Sequence, residues 1–135
     1  MAVTKNIEVP PGLVWSLLVS KAYNPLGWVD GAEKVSCSST TWDSFSRTFT
    51  AKDKMVSESV FIDHLARTIT FADNNNEGAL IRVSALGNDG DTACSVTYSI
   101  TMIINNEKVE KDNLADRACS AFIASINAMM RTTVG

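Results

Sequence analysis

The sequence contains a single histidine, His64, among 135 residues. That scarcity excludes much chemistry. A Ser-His-Asp or Cys-His arrangement would have to use His64, which falls in the turn-like run Asp63-His64-Leu65-Ala66. A zinc site of the common kind needs several histidine or cysteine ligands at close spacing, and the sequence offers no such set. The three cysteines, Cys37, Cys94 and Cys119, are odd in number and lack CxxC spacing. They read as buried, reduced thiols rather than a disulfide framework. There is no GxGxxG, no P-loop and no metal-binding aspartate repeat, so no nucleotide, metal or other cofactor is expected. There is also no basic cluster; the net charge is −3 and the pI about 5.0. That argues against nucleic acid or an anionic membrane surface as partner. No apolar run approaches the roughly 20 residues that span a bilayer. Met1-Ala2-Val3 leads straight into a strand-like run without a basic or apolar leader, so a cytoplasmic location is expected.

What is present is ordinary in amount and orderly in pattern. Apolar residues make up 45% and charged residues 20%, enough for one domain over residues 1–135 with a sizeable core. Thr41 to Ile62 reads as a β-hairpin. Phe45, Arg47 and Phe49 alternate with Ser44, Ser46 and Thr48; Val56, Glu58, Val60 and Ile62 alternate with Ser57 and Ser59. Side chains on a strand switch faces with period two, so each arm has one apolar and one polar face. With a loop at Ala51-Lys52-Asp53-Lys54, Phe49 faces Val56, Arg47 faces Glu58 and Phe45 faces Val60. Opposed residues have Cβ atoms about 4.5–5.5 Å apart, so the arginine and glutamate can touch. Two charges on an inward face need a reason, since desolvating each costs several kcal/mol. A structural pair inside a packed core is one reading, and a pair at the wall of a cavity is the other. Both stay open here.

Val3 to Val9 is a strand, with Lys5 on its apolar side. Pro11 to about Ala22 is a helix carrying Val14, Leu17, Leu18 and Lys21 on one side, with Trp15 between its faces, and Asn24-Pro25 ends it. The turn-rich run to Gly31 holds Trp28, placed either over the core edge or at a pocket lip. Glu33 to Ser38 is a short strand. Arg67 to Ala72 is another, and a turn at Asp63–Ala66 makes Val60 face Ile69 and Glu58 face Phe71. Asp73 to Gly78 is a polar loop. Ala79 to Leu86 and Thr92 to Ile104 are strands joined at Gly87-Asn88-Asp89-Gly90. The second lines one face with Cys94, Val96, Tyr98, Ile100 and Met102. Asn105-Asn106 breaks it. A final helix, capped by Asp112 or Asn113 with Asp116 in its first turn, carries Ala115, Ala118, Cys119, Phe122, Ile126, Met129 and Met130 on a wide apolar stripe about 30 Å long.

This order predicts an α+β fold in which a curved antiparallel sheet of about six or seven strands wraps a long C-terminal helix. One sheet face is apolar and the other is rich in serine and threonine. A bent sheet gripping one helix leaves a natural pocket between them.

In element order nearly the whole chain resembles the START-like (SRPBCC) superfamily of helix-grip proteins, the polyketide cyclase/dehydrase and lipid transport group. The run "VWSLLVSKAYNP", then "FSRTF", then "VSESVFID" is similar to a small fungal START-like family found beside natural-product genes, one type of which closes a polyketide chain into an α-pyrone. The matching positions are Trp15, Asn24-Pro25, Arg47 and Glu58. The resemblance implies a cofactor-independent cyclase or lyase-like enzyme acting on an apolar, polyketide-like ligand, with Arg47 and Glu58 catalytic. Trp28, Phe45, Phe49, Val60, Phe71, Tyr98, Phe122 and Met129 would then shape the substrate cavity. Tyr98 would donate a hydrogen bond to substrate or sit as a satisfied core tyrosine. A polyketide synthase carrier domain is the further partner this implies; whether a second copy of the chain is another, as a homodimer, the sequence leaves open. A non-catalytic carrier of a hydrophobic metabolite is the alternative.

Overall fold

The computed structural model describes residues 2–24, 32–41, 43–51, 53–75, 80–88 and 90–134. The first strand, β1 (Val3–Ile7), leads into helix α1 (Pro11–Tyr23), followed by β2 (Ala32–Thr41), β3 (Ser44–Ala51), β4 (Lys54–Asp63), β5 (Thr68–Asp73), β6 (Leu80–Leu86), β7 (Cys94–Ile104), β8 (Glu107–Glu110) and helix α2 (Asp112–Val134). The strands form one antiparallel sheet in the order β1-β7-β6-β5-β4-β3-β2, and β8 pairs with β7 beyond the end of β1. Helix α2 packs on β7 and β1. This is the helix-grip architecture expected from the element order.

Each element forms for a local reason. Pro11 opens α1, where its missing N–H is no loss. Val14, Trp15, Leu18 and Ala22 put one side of the helix into the core. The chain leaves α1 at Asn24, whose extended backbone (φ −141°) still donates to the Ser20 carbonyl. Gly87, between β6 and β7, approaches this helix closely. A Cβ there would meet Pro11 side-chain carbons at 3.0 and 3.1 Å.

In the sheet, alternation separates the faces. Phe45, Phe49, Val60, Ile62, Ile69, Phe71, Val83, Ala85, Val96 and Tyr98 are buried beneath it. On the other side, hydroxyls pair across strands, as in Thr4 with Thr97 and Thr68 with Ser84, both at 2.9 Å. Lys5, the odd residue of β1, reaches to α2, where its ammonium meets Asp116 at 3.0 Å and donates to Ser120 Oγ at 2.8 Å.

Four expectations need correction. The β4–β5 pairing is two residues off the register read from sequence: Val60 faces Phe71, and Glu58 faces Asp73. The connecting loop is longer because Asp63 Oδ1 accepts the Ala66 N–H at 3.0 Å and Arg67 takes a left-handed backbone (φ 51°). Arg67 thus belongs to the turn, and the strand expected from Arg67 begins at Thr68. Asn105-Asn106 does not end the sheet. Both residues have positive φ (52° and 64°), the geometry of a tight two-residue hairpin that returns the chain as β8. Helix α2 begins with Asp112 inside its first turn rather than at the cap, and its first backbone bond runs from Ala115 N–H to the Lys111 carbonyl. Cys37 is exposed; only Cys94 and Cys119 are buried.

The hairpin gives a direct test. A β-branched residue at a left-handed position costs about 1–2 kcal/mol, whereas glycine adopts it freely. Asn105→Val is expected to lower stability by that amount in urea unfolding, and Asn106→Gly to preserve or raise it. Equal effects of the two would contradict the turn.

Candidate functional site

The hairpin register read from sequence is found in the fold: Arg47 lies opposite Glu58, Phe49 opposite Val56 and Phe45 opposite Val60. Arg47 and Glu58 are 4% and 7% exposed. Arg47 donates from Nε and Nη2 to Glu58 Oε1 at 3.0 and 2.8 Å. From Nη1 it donates to the carbonyls of Lys21 and Ala22, at 3.2 and 3.0 Å. Those carbonyls belong to the last turn of α1, where helix carbonyls lack intrahelical partners and carry partial negative charge. The guanidinium also lies over the rings of Phe71 and Phe49, 4.5 and 5.1 Å from their centroids. One cation thus joins β3, β4 and α1.

Both bonds to the glutamate fall on one oxygen. Glu58 Oε2 stays outside the ion pair, and Glu58 lines a hollow between the sheet and α2. That hollow has two adjoining lobes that share Phe71, Ile81, Ile100 and Ala118. The larger, about 360 Å³, reaches from Glu58 and Asp73 to Leu114 on α2. The smaller, about 220 Å³, is bounded by Arg47, Lys21, Tyr98 and Phe122. Protein interiors hold few voids larger than a water molecule, so an apolar hollow of this size has the character of a binding site.

The structure separates the expected lining residues. Phe71, Tyr98 and Phe122 line the hollow. Phe45 is buried against Tyr23, their rings stacked 4.4 Å apart, and Phe49 is buried under the guanidinium. Val60 is fully buried in the core. None of these three borders either lobe. Met129 is 42% exposed and also borders neither lobe, because a 23-residue helix turns that late position away from the sheet. Trp28 lies outside the described residues. His64 sits in its turn, edge-on to Trp15 at 5.6 Å. Among the described residues, no three His, Cys, Asp or Glu side chains come together as a metal site would require, and no helix is long and apolar enough to cross a membrane.

Two site residues were missed by the sequence reading. Asp73 becomes a neighbour of Glu58 through the corrected register. Lys21 projects from the last turn of α1 and donates from Nζ to the Tyr98 hydroxyl at 2.8 Å. Its ammonium lies 5.1 and 5.3 Å from the ring centroids of Tyr98 and Phe122. Burial, reinforced by the Arg47 charge and opposed by Glu58 and Cys119, pulls the Lys21 ammonium down from 10.5 to about 8. Burial also pushes the Tyr98 hydroxyl well above the usual phenol range, so it stays protonated. The available signal was the spacing of Lys21, three residues after Leu18 on the apolar side of α1.

No protein-family model matches the sequence, and no curated protein matches it. Solved structures do match in fold. An aromatase/cyclase, Zhui, from Streptomyces sp. R1128 superposes with a TM-score of 0.55 at 13% identity, over 95% of this chain and 84% of that one. The major latex-like protein 151 of Panax ginseng gives 0.63 at 12% identity, over 96% and 95%. TTHA0849 from Thermus thermophilus gives 0.60 at 13% identity, over 96% and 97%. At these identities the likeness establishes the helix-grip fold and nothing finer.

The Lys21 environment has a consequence for stability. Its folded value of about 8 lies below the unfolded 10.5, so between these pH values the native state binds fewer protons than the unfolded one. Stability then rises with pH across that window, and the burden of a buried ammonium is fully present below it. Lys21→Met lacks this titration. In urea unfolding, wild type is expected to gain stability relative to Lys21→Met from pH 8 to 10.5; a constant difference would contradict it.

Proposed function

We propose that this chain is a single START-like domain that works as a cyclase-type enzyme of fungal secondary metabolism, holding an apolar, polyketide-like substrate between the sheet and α2. The observation that carries the reading is Glu58: a carboxylate fixed through Oε1 by Arg47, with Oε2 outside that pair, at the wall of an apolar hollow. The shared fold with an aromatase/cyclase and the resemblance of the hairpin sequence to pyrone-forming enzymes support the same assignment.

In the proposed reaction an enol oxygen attacks an acyl carbonyl of the same chain, and a thiol carrier leaves as the lactone closes. Glu58 takes the enol proton as the oxygen becomes nucleophilic. The Arg47 charge, already placed beside the carboxylate, stabilises negative charge developing nearby without reorganising. Phe71, Tyr98 and Phe122 fold the flexible chain so that its ends meet, which can supply more rate than the base itself. No metal or nucleotide is needed for this chemistry. The carrier that releases the product fits a polyketide synthase carrier domain.

A carrier protein for a hydrophobic metabolite is the second reading. It is favoured by one observation: four Arg47 donor bonds go to Glu58 and to the end of α1, as in a purely structural clamp.

Turnover separates them. A linear poly-β-keto thioester is incubated with the protein and ring product is followed. Glu58→Gln keeps an oxygen for Arg47 while removing the base, so it should fold and lose about 10²–10⁴-fold in rate. Full activity in Glu58→Gln would remove the glutamate from the mechanism. Reversible binding without any product would favour the carrier.

A further inference from the structure

We propose that Lys21 is an amine nucleophile that condenses with a ketone or aldehyde carbonyl of the ligand in the smaller lobe. The inference needs the hollow and the amine; it does not need ring closure, and so stands apart from the role given to Glu58.

Four features converge on the Nζ atom. It projects from α1 into a lobe walled by Tyr98 and Phe122. Its one hydrogen bond among the described residues goes to the Tyr98 hydroxyl at 2.8 Å, leaving its other valences toward the lobe. The Arg47 guanidinium is held against the carbonyl of Lys21 itself, so a second cation is fixed nearby. The surroundings are otherwise apolar. Desolvation and a neighbouring cation are the two means by which proteins make a lysine nucleophilic near neutral pH. The charged and titratable groups acting on Lys21 come from each side of the lobe: Arg47 on β3 and Glu58 on β4 with opposite effects, and Cys119 on α2 favouring the ammonium. Tyr98 on β7 is the direct partner. The net outcome, an amine titrating at about 8, leaves on the order of one tenth of it neutral at pH 7.

The step balances without a further reactant. The lone pair of neutral Nζ attacks the carbonyl carbon, and the C=O π pair moves to oxygen. That oxygen takes the Tyr98 proton, and the phenolate recovers one from the new ammonium. The carbinolamine hydroxyl takes a second proton from Tyr98 and leaves as water while the nitrogen pair forms C=N, and the iminium N–H returns that proton to the phenolate, so amine plus carbonyl gives imine plus water. Tyr98 suits the acid role because burial keeps its hydroxyl protonated. A ligand carrying ketones along an apolar chain would be tethered by this bond and registered against the larger lobe, where Glu58 waits.

The test traps the bond. Wild-type protein is treated at pH 7 with hexanal and cyanoborohydride, which reduces an imine to a stable secondary amine, and modified sites are located by peptide mass mapping. The chain has seven lysines, and an ordinary exposed lysine is about three parts in ten thousand neutral at that pH. Lys21 is expected to label on the order of 10²-fold faster than the others, with a rate that levels off above pH 8 while theirs keep climbing. Tyr98→Phe should slow Lys21 labelling without moving it elsewhere, and Lys21→Met and Lys21→Arg should abolish the fast phase. Labelling of Lys21 no faster than the remaining lysines in wild type would overturn the proposal, whatever the variants do. Fast labelling without any ring product from the thioester assay would leave it standing while removing the cyclase reading.

Discussion

One buried arginine governs this molecule. Arg47 balances two negative partners, the carboxylate of Glu58 and the carbonyl end of α1. Neither could be left under the sheet alone. An unpaired glutamate in that position would be a desolvated charge, and the last carbonyls of α1 would be orphaned acceptors. The arrangement fixes where α1 ends relative to the β3–β4 hairpin, and it sets the guanidinium itself over Phe71 and Phe49. The end of α1 is also what aims Lys21 at Tyr98. A single guanidinium therefore locates both polar ends of the hollow.

The hollow itself follows from shape. A sheet bent around α2 meets the helix closely at β7 and β1 and stands off from it near β4 to β6. The helix presents the small Ala118 at the junction of the two lobes, where a larger side chain would fill the space. Aromatic rings stand at the margins and resist collapse. The result is an apolar chamber with carboxylates at one end and an amine–phenol pair at the other. A ligand suited to it is elongated and largely apolar, with oxygen functions spaced to meet both ends. That shape is the physical basis on which a poly-ketone chain is proposed as its ligand.

Much of this was legible in the sequence because alternation encodes faces. The Arg47–Glu58 contact followed from the alternation of two arms together with a loop placed at Ala51 to Lys54. The β4–β5 slip was not legible for the same reason. A shift of two residues returns every side chain to its own face, so the apolar pattern is blind to it, and only the Asp63 side-chain bond and the left-handed Arg67 decide. Asn105-Asn106 carried the correct signal, since asparagine tolerates positive φ, but a turn and a break look alike without the short polar strand that follows. Met129 shows the limit of helical spacing, because it is exposed while its neighbour Met130 packs against the core, so the apolar stripe is narrower than the sequence pattern suggests. Lys21 was visible as a charged residue on an apolar helix side. What it meets there, a tyrosine 77 residues away, is a fact of tertiary structure.

The double-mutant cycle of Arg47→Met and Glu58→Met, read by equilibrium urea unfolding, tests the ion pair most directly. Each single substitution strands a buried partner and is expected to lower stability by about 3–5 kcal/mol. The double substitution removes both charges and should be destabilised by less than their sum, with a coupling above about 1.5 kcal/mol. Losses that add to within about 0.5 kcal/mol would mean that the two side chains act independently, and the arginine could not then be the element that holds the chamber together.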